Sequence, residues 1–97
     1  MLTIGDLEVD TLGRSATRAG RRVELTAREY LLLEYLARRQ GQVVSRAEIE
    51  QHIYDGHVDP MSNVVDSAVC GLRKKIGGSR DKALVHTRRG LGYVLQA

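Results

Sequence analysis

An α+β fold, with a small antiparallel sheet first, three helices next and a two-stranded hairpin at the end, is predicted by three features of the sequence. Leu2, Ile4, Leu7, Val9 and Leu12 recur near a two-residue period, the spacing of strands with one face to bury. Two capping boxes follow, Thr26-Ala27-Arg28-Glu29 and Ser45-Arg46-Ala47-Glu48. In each, a hydroxyl and a carboxylate three residues later reciprocally satisfy free backbone N–H groups at a helix start. Val65, Val69, Leu72 and Ile76 then fall at i, i+4, i+7 and i+11, a narrow apolar stripe on a third helix. One domain over residues 1–97 accommodates all of this, with the sheet in 1–25, the helical core in 26–76 and the hairpin in 83–97.

Taken in order, the strand pattern from Leu2 to Leu25 is broken by Gly5-Asp6, Gly13 and Ala19-Gly20, so the strands are short and joined by turns. A sheet of this kind has one face to cover and requires an apolar layer from later in the chain. The helix opening at Thr26 presents Tyr30, Leu33 and Ala37, with Leu32, Tyr35 and Leu36 beside them, and Gly41 supplies its stop. The helix opening at Ser45 runs to about Tyr54 and offers Ala47, Ile49 and Ile53 for burial. Two helices joined by the tight link Gly41 to Val44 suggest a helix-turn-helix. Asp55 to Met61 contains Gly56 and the only proline, Pro60, and is expected to be an irregular loop. The third helix starts at Ser62 or Asn63 and ends at Gly77-Gly78. Ala83–Thr87 and Gly92–Leu95 read as two strands around Arg88-Arg89-Gly90-Leu91, a hairpin with a basic tip. With no repeat and no low-complexity linker, this order is that of a winged helix.

Composition narrows the function. Residues 1–61 carry eight Lys/Arg against ten Asp/Glu, a net of −2, and residues 62–97 carry seven against two, a net of +5. A basic face of this kind suits a phosphate-backbone partner. The single cysteine, Cys70, cannot form an internal disulfide, and with no signal-like apolar run a cytoplasmic location is expected. The longest apolar stretch, Tyr30 to Leu33, is too short to cross a bilayer. His52, His57 and His86 with Cys70 lack metal-ligand spacing, so no metal or cofactor is expected. No phosphate-cradling glycine loop, Ser/His/Asp arrangement or facing carboxylate pair is evident, which argues against an enzyme.

Three stretches resemble the OmpR/PhoB-type winged-helix effector domains of two-component response regulators, and together they span nearly the whole chain. Leu25-Thr26-Ala27-Arg28-Glu29-Tyr30 with Leu32-Leu33 is similar to that family's first-helix entry. Asn63-Val64-Val65-Asp66 with Leu72-Arg73-Lys74-Lys75-Ile76 is similar to its recognition helix, and His86-Thr87-Arg88-Arg89-Gly90-Leu91-Gly92-Tyr93 to its wing. The resemblance implies double-stranded DNA as the partner, a four-stranded N-terminal sheet and dimers on tandem half-sites. It further implies a loop, 55–61, that can touch RNA polymerase, and a phosphorylatable receiver domain upstream. Met1 is then expected to mark an excised domain.

On this reading the third helix enters the major groove, where base edges are distinguishable. Opposite its apolar stripe lie Asn63, Ser67, Cys70 and Lys74, flanked by Val64 and Gly71. Asn63, Ser67 and Lys74 can hydrogen-bond to bases, while Val64 and Ala68 can pack on thymine methyl groups. Arg73 and Lys75 lie at the flanks, where phosphates run. Asp66 is equally an ion-pair partner, a cap or a base contact. At the wing, Arg88 and Arg89 can enter a minor groove, and the resemblance favours Arg89 as the inserted side chain. Thr87, Tyr93 and, from the second helix, Arg46 are phosphate-contact candidates, although Tyr93 also suits a core position with a wet hydroxyl. Cys70-Gly71 departs from the family, where Arg or another polar residue often stands. Gly71 costs about 1 kcal/mol of helix stability relative to Ala, and close backbone approach to DNA or a smooth fit to the groove is the expected motive. Greater reliance on the wing and on DNA shape follows. The rival functions are a protein-interaction module, which needs no doubly basic wing, and RNA binding, which commonly uses an aromatic platform absent here.

Overall fold

The computed structural model describes residues 1–53, 63–77 and 83–97. Four strands, β1 (Leu2–Ile4), β2 (Leu7–Asp10), β3 (Ser15–Arg18) and β4 (Arg21–Val23), form an antiparallel meander in sequence order. The register pairs Ile4 with Leu7, Val9 with Ala16 and Ala16 with Val23, which places Ile4, Leu7, Val9, Ala16 and Val23 on the buried face. Between β3 and β4 the turn puts Ala19 and Gly20 at φ 51° and 79°, the two positive values of a primed hairpin turn. The expectation for Leu12 fails. Asp10 Oδ1 accepts from the Leu12 and Gly13 N–H groups at 3.1 Å each, so the chain turns early and Leu12 is 97% exposed.

Helix α1 (Ala27–Arg38) begins as the capping box requires. Thr26 Oγ1 accepts from Glu29 N–H at 3.1 Å, and Glu29 Oε1 accepts from Thr26 N–H at 2.9 Å. Its wide apolar stripe buries Tyr30, Leu32, Leu33, Leu36 and Ala37, and α1 lies at the centre of the fold, touching β1, α2, α3 and β6. Helix α2 (Arg46–Ile53) opens with Ser45 Oγ accepting from Glu48 N–H at 3.1 Å. Ile49 and Ile53 are buried as expected, but Ala47 is exposed. Its expected last residue, Tyr54, and the whole loop 55–61 lie outside the described residues, as does Gly78. Helix α3 (Val64–Ile76) buries Val65, Val69, Leu72 and Ile76. Asn63 is its N-cap residue but makes no side-chain capping bond.

Strands β5 (Val85–Arg88) and β6 (Gly92–Leu95) pair antiparallel from Val85–Leu95 to Arg88–Gly92, leaving 89–91 as the tip. The hairpin is joined by part of the α1–α2 link. Val44 N–H donates to Tyr93 O at 2.8 Å and Tyr93 N–H to Val44 O at 2.9 Å. Gly92 makes this closeness possible, because a Cβ there would overlap the Val44 carbonyl and its φ is 143°.

Candidate nucleic-acid interface

The 3.6-residue period divides α3 into two faces. Val65, Ala68, Val69, Leu72 and Ile76 turn inward, while Asn63, Ser67, Cys70 and Lys74 form an exposed stripe on the other side. Val64 and Gly71 are half-buried beside that stripe. Ala68, expected to meet thymine methyl groups, is 7% exposed and belongs to the core. Its position, three residues after Val65 and four before Leu72, places it on the apolar face.

At the start of α3, Asp66 joins three elements. Its Oδ2 lies 3.0 Å from Arg46 Nη2 at the start of α2, and its Oδ1 accepts from the Tyr93 hydroxyl of β6 at 2.6 Å. The ion-pair alternative is the one the fold adopts. Burial, with help from the Asp66 hydrogen bond and charge, pushes the Tyr93 hydroxyl above its ordinary pKa, so Tyr93 remains a donor at neutral pH.

Further along α3, Arg73 bends onto the hairpin. Its Nε donates to Val85 O at 3.2 Å, its Nη2 donates to Thr87 Oγ1, and the guanidinium stands 5.7 Å from the Tyr93 ring centre. Arg73 therefore ties the helix to the wing. Lys75 points the other way, donating to Glu29 Oε1 of α1 at 2.6 Å. Burial opposes the Glu29 charge, yet the Lys75 and Thr26 hydrogen bonds hold its carboxyl below the ordinary value.

Gly71 belongs to the same arrangement. A Cβ at this position would collide with Glu29 Oε2, so the contact that calls for glycine comes from within the fold. The sequence carries little signal of this contact, since Glu29 already completes the first capping box and lies 42 residues away.

The wing tip projects Arg89, exposed, with Arg88 partly buried behind it and Thr87 exposed on the strand. Among the described residues Lys74, Arg88 and Arg89 have no acidic partner. Between the wing and the start of α2 lies an open groove of about 510 Å³, lined by residues that include Ser45, Arg46, Arg89, Leu91 and Tyr93. Thus Arg46, Asp66, Arg73, Thr87 and Tyr93 meet in one network, the outer stripe of α3 stands beside it, and Ala68 and Lys75 are turned away. Among the described residues, no group of three or more His, Cys, Asp or Glu is placed to hold a metal, and no helix is long and apolar enough to cross a membrane.

The family described as "Transcriptional regulatory protein, C terminal" matches residues 20–95. The chain belongs to this family. The solved structures similar to this chain include OmpR/PhoB-type DNA-binding domains of response regulators. The transcriptional activator protein IrlR of Burkholderia pseudomallei is 46% identical over 96 residues, 99% of this chain and 42% of that protein. The chain thus spans about two fifths of the length of the curated relatives it matches. The DNA-binding domain of CpxR from E. coli superposes with a TM-score of 0.85 at 30% identity, covering 99% of this chain and 95% of that one. The Klebsiella pneumoniae RstA DNA-binding domain, solved in complex with the RstA box, gives 0.85 at 27% identity, covering 98% and 95%. The OmpR/PhoB-type architecture of antiparallel sheet, three helices and terminal hairpin is therefore that of this chain.

Proposed function

We propose that this domain binds double-stranded DNA sequence-specifically and regulates transcription, as the effector domain of a response regulator. The observation that carries the reading is the Arg46–Asp66–Tyr93 contact together with Arg73, which fixes α2, α3 and the wing as one surface. From that surface Asn63, Ser67 and Cys70 face the major groove. Lys74 reaches a base edge or phosphate, and Val64 sits beside a thymine methyl. Arg89 enters the adjacent minor groove and Arg88 supports it. Arg46, at the mouth of the groove beside the wing, and the exposed hydroxyl of Thr87 meet the phosphate strand. Asp66, Arg73 and Tyr93 hold this geometry, Gly71 makes room for Glu29, and neither Ala68 nor Lys75 touches DNA.

RNA polymerase contact through 55–61, pairing on tandem half-sites, an upstream receiver domain and a cytoplasmic location complete the proposal. No catalytic activity is assigned to the domain. Selection from a tandem-repeat duplex library at two salt concentrations, against nonspecific competitor, tests it. Recovery of two half-sites about one helical turn apart is expected. No enrichment, with only weak binding that disappears as salt rises, would instead point to a protein-interaction module.

A further inference from the structure

On the buried face of the N-terminal sheet, one position breaks the apolar pattern. β3 alternates so that Ala16 and Arg18 face inward, and Arg18 is 3% exposed. A buried guanidinium is costly unless paired, and an apolar side chain of similar volume often serves stability as well or better. What Arg18 reaches is the end of the recognition helix: its Nη1 donates to Ile76 O at 2.7 Å. That carbonyl belongs to the last turn of α3, where no further helical N–H remains to satisfy it. The neighbouring Gly77 N–H returns to Arg73 O. Arg18 is thus a C-terminal cap supplied from 58 residues away, and its charge also suits the negative end of the helix.

Asp6, in the β1–β2 turn, stands behind this cap. Its Oδ1 lies 2.5 Å from Arg18 Nε, an ion pair without hydrogen-bond alignment. Its carbonyl accepts from Ala19 N–H at 2.9 Å, tying the turn to the end of β3. We propose that Arg18 is a positioning residue for DNA recognition: supported by Asp6, it fixes the C-terminal end of α3 and thereby the angle at which the helix meets the bases. This inference rests on the DNA-binding reading. The lever is long, because the 13 residues of α3 span about 20 Å and a tilt of about 5° at one end moves the other by about 2 Å. A base hydrogen bond does not survive that displacement.

The test uses Arg18→Met, Arg18→Lys and Asp6→Asn in the 97-residue chain, well below the unfolding transition. Affinity is measured for the duplex recovered by selection and for a random-sequence duplex, with amide exchange at Ile76 and Gly77 in parallel. Arg18→Met is expected to lower specific affinity about five- to tenfold, the weak end of losing one base contact. Random-sequence affinity, set by exposed cations, should stay unchanged. Arg18→Lys should restore part of the loss, and Asp6→Asn should show a smaller version of it even if Arg18→Met does not fold. Faster exchange at Ile76 and Gly77 accompanies each loss. An unchanged specificity ratio, or an equal fall on both duplexes, overturns the proposal whatever happens to thermal stability. If the wild-type chain does not distinguish the duplexes, the DNA-binding reading fails. The positioning of α3 by Arg18 is then judged by exchange alone, and unchanged exchange in Arg18→Met and Asp6→Asn overturns it.

Discussion

Two adjacent lysines on α3 have different surroundings and should behave differently on DNA. Lys74 is exposed and has no acidic partner among the described residues, whereas Lys75 is held by Glu29. Each phosphate-neutralising cation contributes about −0.9 to the slope of log K against log salt. Lys74→Gln should therefore flatten the slope by about 0.9, while Lys75→Gln should leave it unchanged; equal flattening would place Lys75 on DNA. At the wing, Arg89→Ala should weaken specific binding by about 1–3 kcal/mol, more than Asn63→Ala. A binding assay that ranks them in reverse would show that helix contacts dominate the wing. The outer stripe of α3 is legible in the sequence because a 3.6-residue period separates Asn63, Ser67, Cys70 and Lys74 from the apolar side. The same period also places Ala68 with Val65 and Leu72, a signal available but outweighed by its small size. The Glu29–Lys75 pair and the crowding at Gly71 are not legible, because nothing local to α3 reveals which distant side chain lies against it.

Among the elements, the wing depends on a piece of chain that is not part of the hairpin. Val44 pairs with Tyr93 across Gly92, so Gly92→Ala should cost about 2–3 kcal/mol or more through overlap with the Val44 carbonyl and the positive φ. A urea transition unchanged in midpoint would contradict that account. Between α1 and α3, the depressed Glu29 pKa gives a pH dependence of definite sign. The contribution is present above the ordinary value of 4.5 and is lost as pH falls through the lower folded value. Glu29→Gln keeps an acceptor for the cap but removes the titration. The stability advantage of wild type over this variant should shrink as pH falls from about 6 to about 3, and a pH-independent difference in urea melts would exclude the pair as its source. The capping boxes make the starts of α1 and α2 legible. The single Val44–Tyr93 bridge has no sequence period, and the Asp10 turn that exposes Leu12 interrupts a strand pattern that otherwise continues.

For the whole molecule, element order and charge asymmetry are the features most plainly written in the chain, and among the described residues Lys74, Arg88 and Arg89 are the C-terminal cations left without an acidic or intramolecular partner. α3 is held near its start by Asp66, along its length by Arg73, and toward its end by Arg18 and Lys75. On the proposed function, a helix held at so many points meets DNA largely as a preformed shape. The long dimension, 37 Å, is comparable to one helical turn of DNA, so protomers on tandem half-sites should be spaced about 10–10.5 bp apart. The central claim is that this surface chooses among duplex sequences. It is tested most directly by titrating the chain with the selected duplex and a scrambled duplex of equal length between 50 and 200 mM salt. The account predicts a preference of at least about 10³-fold for the selected duplex, with a slope of about −3 per protomer from Lys74, Arg88 and Arg89, the cations without an acidic partner among the described residues. Equal affinity for the two duplexes, fading together as salt rises, would contradict it.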